Sequence, residues 1–430
     1  MSARSLACQR AVKEWPSEVT EKYDPIRVLG IGGFGYVMLA RNKNPGPNEE
    51  KIIAIKTIGD VKNGLSRSDL GYAHRESDIL KELHHPNIIK FIDFWEPNPT
   101  KQTSIAALAL GYARGPTVES LLLRGGALSS IFSRIVIAQV IDAISFLHSH
   151  AVVHRDIKPD NIIVTGASFE QDDVWDNSME DPTSASMWDD LRKKWHVTLL
   201  DFGFARALTP EDVVKPSSNF AKENLNASYH KTSLDVHGLK LDDKKHSLAF
   251  DSMDNSISRR FHRRMSALGN RNFCAPEVRK GIASVAPTKR KGHQITETIS
   301  GYVSQYGLLV DSYSLGYTYR YMMTGVQPNR SVERAIAEQK SPLNRCLRCL
   351  KKILASKARK EKPEKRKVRY RRMRELPDEA KYLIEDLTEV EERKRLSVRG
   401  ARRRSWVDDV LPDNGGTTNQ VQYLNCAIQG

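Results

Sequence analysis

The stretch Val152–Val164, VVHRDIKPDNIIV, constrains the chain more than any other. An apolar run (Ala151, Val152, Val153) leads into a polar string, and a second run (Ile162, Ile163, Val164) leads out. Buried flanks pin such a string as a loop between two structural elements, where its side chains can be aimed. Asp156 and Asn161 stand five positions apart. That spacing lets a carboxylate face a hydroxyl while an amide oxygen holds a metal. Taken alone the string could still be a polar surface turn, and the rest of the chain decides between the two.

At 430 residues the chain can form one large two-lobed domain or two to three ordinary ones. No apolar run reaches the length of a membrane span, and the start, MSARSLACQR, lacks the apolar core of a signal peptide. Five cysteines form no even framework, which points to a reducing compartment, cytoplasmic and/or nuclear. Cys346 and Cys349 make a lone CxxC, too little for zinc. The net charge of +15 is uneven. From Arg345 to Arg374 there are 15 Lys or Arg against two Glu, whereas Glu170–Asp190 holds eight carboxylates and no base. The two stretches read as insertions of opposite sign. The basic one is expected to be a solvated insertion, part helical around Cys346–Leu354; a nucleic-acid or nuclear-import patch and docking onto the acidic stretch are the alternatives. Few aromatics interleave its charges, so stacking on single strands is unsupported.

From Tyr23 the chain reads YDPIRVLGIGGFGYVMLAR, with Gly30, Gly32, Gly33 and Gly35. Glycines at this density let backbone N–H groups approach phosphate oxygens. The dinucleotide-binding turn shares the pattern but requires a helix next, and Tyr36–Ala40 is a β-type run. A strand, a glycine turn and a strand make a flap over phosphates. The following strand, KIIAIKTI, places Lys56 among Ile and Ala. Next, Ala73, Glu76, Ile79, Leu80 and Leu83 share one helical face. Glu76 on that apolar face needs a cation, because an unpaired buried carboxylate costs several kcal/mol, and Lys56 is the obvious one. Ile137, Val140, Ile141, Ile144 and Leu147 mark an amphipathic helix that feeds the Val152–Val164 stretch. Forty residues beyond Asn161, HVTLLDFGFAR carries Asp201 at a strand end before Phe202 and Gly203, a carboxylate suited to magnesium.

In this order the strings resemble the catalytic domain of eukaryotic serine/threonine protein kinases, with GNRNFCAPEV (Gly269–Val278), Asp311-Ser312-Tyr313-Ser314-Leu315-Gly316, Arg395 and RRRSWV completing the set. The resemblance implies an α+β, two-lobed fold with a small β-rich N-lobe (about 23–110) and a larger helical C-lobe (about 114–411). A leader (1–22) and a C-terminal tail (412–430) would flank it. Insertions would fall at about 165–195, 209–254, 281–300 and 340–374; the polar stretch Thr209–Asp254 is expected to be disordered.

The resemblance also implies ATP and Mg2+ as cofactors and a protein as substrate. ATP would lie against Gly30, Ile31, Gly32, Gly33, Phe34, Gly35, Val37, Ala54, Lys56, Glu76, Leu110 and Tyr112, with Gly111 replacing a common hinge acid. Asn161 and Asp201 would bind the metal, Asp156 would accept the hydroxyl proton and Lys158 would reach the γ-phosphate. Glu277 would pair with Arg395, and Asp311 would sit on the central buried helix. Asn270 stands where a threonine is usual, which weakens the residue preference drawn from that loop. Arg155 before Asp156, and Ser266 eleven residues before Glu277 in the context RRMS, imply regulation by activation-loop phosphorylation, by an upstream basophilic kinase or by autophosphorylation. The alternatives are a kinase-like scaffold with weak or no catalysis, against which the five retained residues Lys56, Glu76, Asp156, Asn161 and Asp201 argue, and a small-molecule kinase of related fold.

Overall fold

The computed structural model describes residues 15–32, 35–59, 67–96, 105–208, 263–266, 272–283, 303–331 and 368–412. A short helix α1 (Ser17–Lys22) leads into β1 (Tyr23–Gly32), β2 (Gly35–Asn42) and β3 (Ile52–Ile58); helix α2 (Arg67–Glu82), β4 (Phe91–Trp95) and β5 (Ala106–Gly111) complete the small lobe. The five strands form one antiparallel sheet in the order β1-β2-β3-β5-β4. Alternation along the strands divides the sheet between two cores. Met38, Ala40, Ile53, Ile55, Ala107 and Ala109 face one, whereas Ile58 and Ala106 pack against Ala73 of α2.

The expected leader boundary at residue 22 moves. Trp15 and Val19 are buried with Tyr23, Met38 and Ile53, so residues 15–22 are a structural part of the small lobe. Their pattern is a single i, i+4 apolar pair in an otherwise polar stretch, too short for a periodicity argument to register.

The large lobe opens with α3 (Val118–Gly125) and α4 (Ser130–Ser149), whose N-cap Ser129 accepts from Phe132 N. Helix α4 is long and apolar enough to cross a membrane by length and composition, and it is mostly buried inside the lobe. Three of its buried polar residues have protein partners: Gln139 has Asn87 and Trp195, Arg134 has Trp406 and Asp409, and His148 has Asp311. After it come β6 (Val152–Val153), β7 (Ile162–Thr165), α5 (Ala185–Lys194), β8 (His196–Leu199) and β9 (Arg206–Ala207); β7 pairs with β8, and β6 with β9. Strands β10 (Arg263–Ser266) and β11 (Val303–Tyr306) pair around α6 (Pro276–Ala283). Helices α7 (Leu309–Thr324), α8 (Asp378–Leu387), α9 (Val398–Arg402) and α10 (Ser405–Asp408) close the lobe.

The acidic stretch is woven into this core. Trp175, Trp188 and Trp195 are buried, and the Arg134 guanidinium lies 4.4 Å from the Trp188 ring and 4.2 Å from that of Trp406. The described end of the basic stretch, residues 368–374, meets it. Arg369 donates to the Trp175 carbonyl at 2.6 Å and pairs by backbone with Gly125 and Ala127. Gly126 has φ +80°, and a Cβ there would run into the Arg369 carbonyl. At Arg369 this contact is a docking onto the acidic stretch, whereas Arg374 is exposed, as a solvated segment would be. Residues 340–367, Thr209–Asp254, the 281–300 segment beyond Ala283, Asn270, the CxxC and the tail from 413 lie outside the described residues.

Candidate active site

The site forms where β3, α2 and the two polar loops converge. Lys56 projects from β3, paired in register with Val37 on one side and Leu108 on the other. Its Nζ donates to Glu76 Oε1 and Oε2 at 2.8 and 2.9 Å and to Asp201 Oδ1 at 2.7 Å. Glu76, only 2 % exposed, thus has the cation that its place on the apolar face of α2 demands. Burial works against the Lys56 ammonium, but Asp201 and Glu76 outweigh it and raise its pKa. Burial raises the Glu76 pKa despite Lys56, whereas Lys56 holds Asp201 down to about 2 against the effect of burial.

The catalytic-loop candidates meet through Asp156. Its Oδ2 accepts from Lys158 Nζ at 2.5 Å and from Asn161 Nδ2 at 2.9 Å; the same amide nitrogen donates to the Asp156 carbonyl at 2.8 Å. Asp156 Oδ1 is buried with no hydrogen-bond partner. Burial raises the Asp156 pKa, Lys158 opposing it. Behind the loop, Asp311 of α7 accepts from the backbone N–H of His154 and of Arg155, both at 2.8 Å, and from His148 Nε2 at 2.9 Å. The His154 ring, its pKa lowered by burial, stacks edge-on to Phe202 with centroids 4.8 Å apart. His148 and His154 escaped the sequence reading, which offered no signal beyond two more histidines near the loop.

The nucleotide-facing candidates line the other wall. Gly32 and Gly35 are opposed at the tip of the β1–β2 hairpin, with residues 33 and 34 outside the described residues. A Cβ at Gly35 would overlap the Thr57 carbonyl, so the hairpin can lie this close to β3 only with glycine. Gly30 has open space around it, and Ile31 is 82 % exposed near the tip of the hairpin. Ala54 pairs with Leu110 across β3 and β5, and Tyr112 follows on the connection to the large lobe, its hydroxyl accepting from Arg27 at 3.5 Å. Gly111 N donates to the Lys90 carbonyl at 2.8 Å, so that amide is engaged within the protein.

This arrangement of a flap, a buried Lys–Glu pair and two carboxylates across a cleft is matched by sequence comparison. The family model for the protein kinase domain matches residues 23–241, which takes in both polar loops. The chain belongs to the protein kinase family. Among curated relatives it is 30 % identical over 197 residues to serine/threonine-protein kinase 36 of Pongo abelii, covering 46 % of this chain and 12 % of that one. It is 29 % identical over 238 residues to the probable serine/threonine-protein kinase MARK-A of Dictyostelium discoideum, covering 54 % and 19 %. Cell division control protein 2 homolog 3 of Trypanosoma brucei brucei is 34 % identical over 148 residues, covering 34 % and 43 %. The chain spans less than half the length of each of these relatives.

Contacts of the large lobe continue beyond the matched segment. Arg395, fully buried, donates to Glu277 Oε1 at 2.7 Å and Oε2 at 3.2 Å, and to the carbonyls of Leu309 and Glu389 at 3.0 and 2.8 Å. Its alternative partners by sequence, Glu391 and Glu392, meet only its backbone N–H, through their carbonyls. Arg155 has φ +69° and donates from Nε to the Phe204 carbonyl at 2.5 Å. Ser266 lies on β10, opposite Val303, and its side chain is outside the described residues.

Proposed function

We propose that this chain is an ATP- and magnesium-dependent serine/threonine protein kinase whose catalytic base is Asp156. One observation carries the reading. Asp156 keeps a buried carboxylate oxygen without a partner while Lys158 and Asn161 hold the other. An open buried acceptor costs about 1–3 kcal/mol, which a substrate hydroxyl donating to Oδ1 recovers. Burial makes the carboxylate more basic and so a better acceptor of that proton. Asn161 has its amide nitrogen turned to Asp156, which leaves its oxygen for a hard cation together with the Asp201 carboxylate. Bound ATP and its metal would supply the transferable phosphoryl group and charge neutralisation. Lys56, oriented by Glu76, and Lys158, beside the base, supply fixed positive charge along the cleft. Lys158, two residues after Asp156, favours serine and threonine over tyrosine as acceptor.

The regulatory part of the proposal is that a phosphate on Ser266, placed by a basophilic kinase or by the enzyme itself, pairs with Arg155 and orders the loop. Its context, Arg263-Arg264-Met265-Ser266, supports it. We place the protein in the cytoplasm or nucleus on its cysteine usage, a point that cell fractionation tests.

The deciding assay is transfer from labelled ATP, with magnesium, to the protein itself and to a generic basic substrate, beside Asp156→Asn and Asp201→Asn. Transfer lost in both variants supports the enzyme. Absence of transfer, even after pretreatment with a basophilic kinase, gives the function to a binding scaffold, and ATP affinity is then the next measurement. A phosphopeptide map of fully active protein bearing no phosphate at Ser266 would sink the regulatory part.

A further inference from the structure

Gln139, on α4, is fully enclosed, and both ends of its amide are engaged. Nε2 donates to the carbonyls of Trp195 at 2.8 Å and Ile135 at 3.3 Å, and Oε1 accepts from Asn87 Nδ2 at 3.0 Å and Val197 N at 3.1 Å. Turning the amide over would set its N–H groups against two donors, so its orientation is fixed. Three segments meet at this side chain. Asn87 belongs to the loop that follows α2, Val197 to β8, and Trp195 closes α5 at the end of the 165–195 insertion. Asn87 completes the tie by donating to the Val197 carbonyl at 2.8 Å. The backbone adds Leu199 N to the Asn87 carbonyl at 2.8 Å and Ile89 N to the Leu199 carbonyl at 3.0 Å.

We infer that Gln139 is a positioning residue: through Asn87 and Val197 it sets the separation of Glu76 and Asp201, and with it the placement of Lys56 in the cleft. The two segments that leave the tie lead to those two carboxylates. Helix α2 carries Glu76, and β8 runs into Asp201 just beyond Leu199. Lys56 Nζ meets Glu76 Oε1 at 2.8 Å and Asp201 Oδ1 at 2.7 Å, so a shift of β8 against the loop after α2 opens one contact or the other. The tie also reaches across the lobes. Ala73 of α2 packs with Ile58 and Ala106 of the small-lobe sheet, whereas the loop after α2 is bonded to the large lobe. Inside a protein a fully satisfied polar network is rigid, and one that loses a member is not. Without the Gln139 amide, Val197 N and the Trp195 carbonyl lose this partner in the core, and the hold on β8 slackens. Gln139 touches neither nucleotide nor substrate, and its bearing on phosphoryl transfer rests on the function proposed above.

The test is trace acetylation of the full chain with acetic anhydride, at a temperature where it is fully folded, scored by mass spectrometry at Lys56 against the exposed Lys51. An amine reacts only as the free base. Burial lowers the Lys56 pKa, but Asp201 and Glu76 together raise it further, so Lys56 should be slow in the wild type. Gln139→Met keeps the side-chain length and removes all four bonds. Asn87→Ala cuts the tie from the loop side and leaves α4 intact, so it decides the matter if Gln139→Met does not fold. Each should raise the Lys56 rate about tenfold relative to Lys51, the effect of one pKa unit. Leu387→Ala, a buried large-lobe change with no part in the tie, should lower the melting temperature and leave the Lys56 rate alone. An unchanged Lys56 rate in the folded variants overturns the inference, as does an equal rise in Leu387→Ala, which makes Gln139 an ordinary core residue. In a wild type that transfers phosphate, kcat should fall about tenfold in Gln139→Met with KM for the protein substrate unchanged, and a wild-type kcat would overturn the positioning role. A wild type that transfers none defeats the proposed function, and the Lys56 rate still decides whether Gln139 holds the two carboxylates in place.

Discussion

Arg395 offers the sharpest test of how the large lobe is held together. The side chain is fully buried, its guanidinium reaches both Glu277 oxygens and the Leu309 and Glu389 carbonyls, and it lies 5.0 Å from the Tyr313 ring centre. Arg395→Met keeps much of the packing but removes every one of these donors. Breaking a buried pair by removing one partner costs about 3–5 kcal/mol, chiefly because the other charge is left uncompensated. Glu277 retains 18 % exposure, and water reaching its carboxylate sets the expected loss at the low end, about 3 kcal/mol. At roughly 2–4 °C per kcal/mol for a domain of 150–250 residues, the melting temperature should drop by about 6 °C or more. Arg395→Lys keeps the charge without the planar fork and should fall between the two. The assay is a double-mutant cycle in urea with Glu277→Gln. If the ion pair is the source of the loss, the double variant should be more stable than the summed single losses predict, by at least about 1 kcal/mol. Additivity within about 0.5 kcal/mol would refute the reasoning and leave Arg395 as a packing residue whose charge has no bearing on the fold.

Three other perturbations have defined outcomes. Asp201 titrates near 2 in the folded protein, below the roughly 3.9 of an unfolded aspartate, so its stabilisation by Lys56 is complete above about pH 4 and is lost as pH falls toward 2. Wild-type stability should therefore fall more steeply across that window than that of Asp201→Asn; parallel curves by chemical unfolding would contradict the shift. Gly126→Ala sets a Cβ against the Arg369 carbonyl at φ +80° and should cost more than the roughly 1–2 kcal/mol of the backbone conformation alone, whereas Gly30→Ala, with open space around it, should change stability by about 0.5 kcal/mol or less apart from its strand propensity. Differential scanning calorimetry on the two variants separates them. Trp15→Ala should destabilise the small lobe by about 3 kcal/mol, read as a lower urea midpoint; an unchanged midpoint would return residues 15–22 to the status of a leader.

The motifs were legible because each is local and each is physically over-determined. Lys56 and Glu76 could be paired from a strand and a helix face alone, since a carboxylate on the apolar side of α2 has few alternatives to a cation. What stayed illegible depends on contacts between remote segments. Charge counting marked Glu170–Asp190 as one acidic insertion, yet its shape is set by Trp175 and Trp188, which a count of carboxylates passes over. The same count marked Arg345–Arg374 as solvated, and Arg369 is instead seated by two small neighbours, Gly125 and Gly126, and by a carbonyl of the acidic stretch. Glycines read from sequence say only that backbone can come close. They do not say whose.

The catalytic loop shows the same division at the scale of single bonds. Arg155 and Asp201 both have left-handed backbone, with φ +69° and +59°, a conformation that costs a non-glycine residue roughly 1–2 kcal/mol. At Arg155 something must offset that cost, and Asp311 does so from 156 positions away along the chain, accepting the N–H groups of His154 and Arg155. Burial by itself would raise the Asp311 pKa; His148 and the loop donors pull it below the ordinary value, so the carboxylate stays charged inside the core. A charged acceptor holds an N–H more tightly than a neutral one, and two such bonds on adjacent residues leave the backbone little freedom to relax. The shape of the loop that presents Asp156 is therefore imposed by helix α7, and the HRD string supplies the side chains for a geometry that the rest of the lobe enforces.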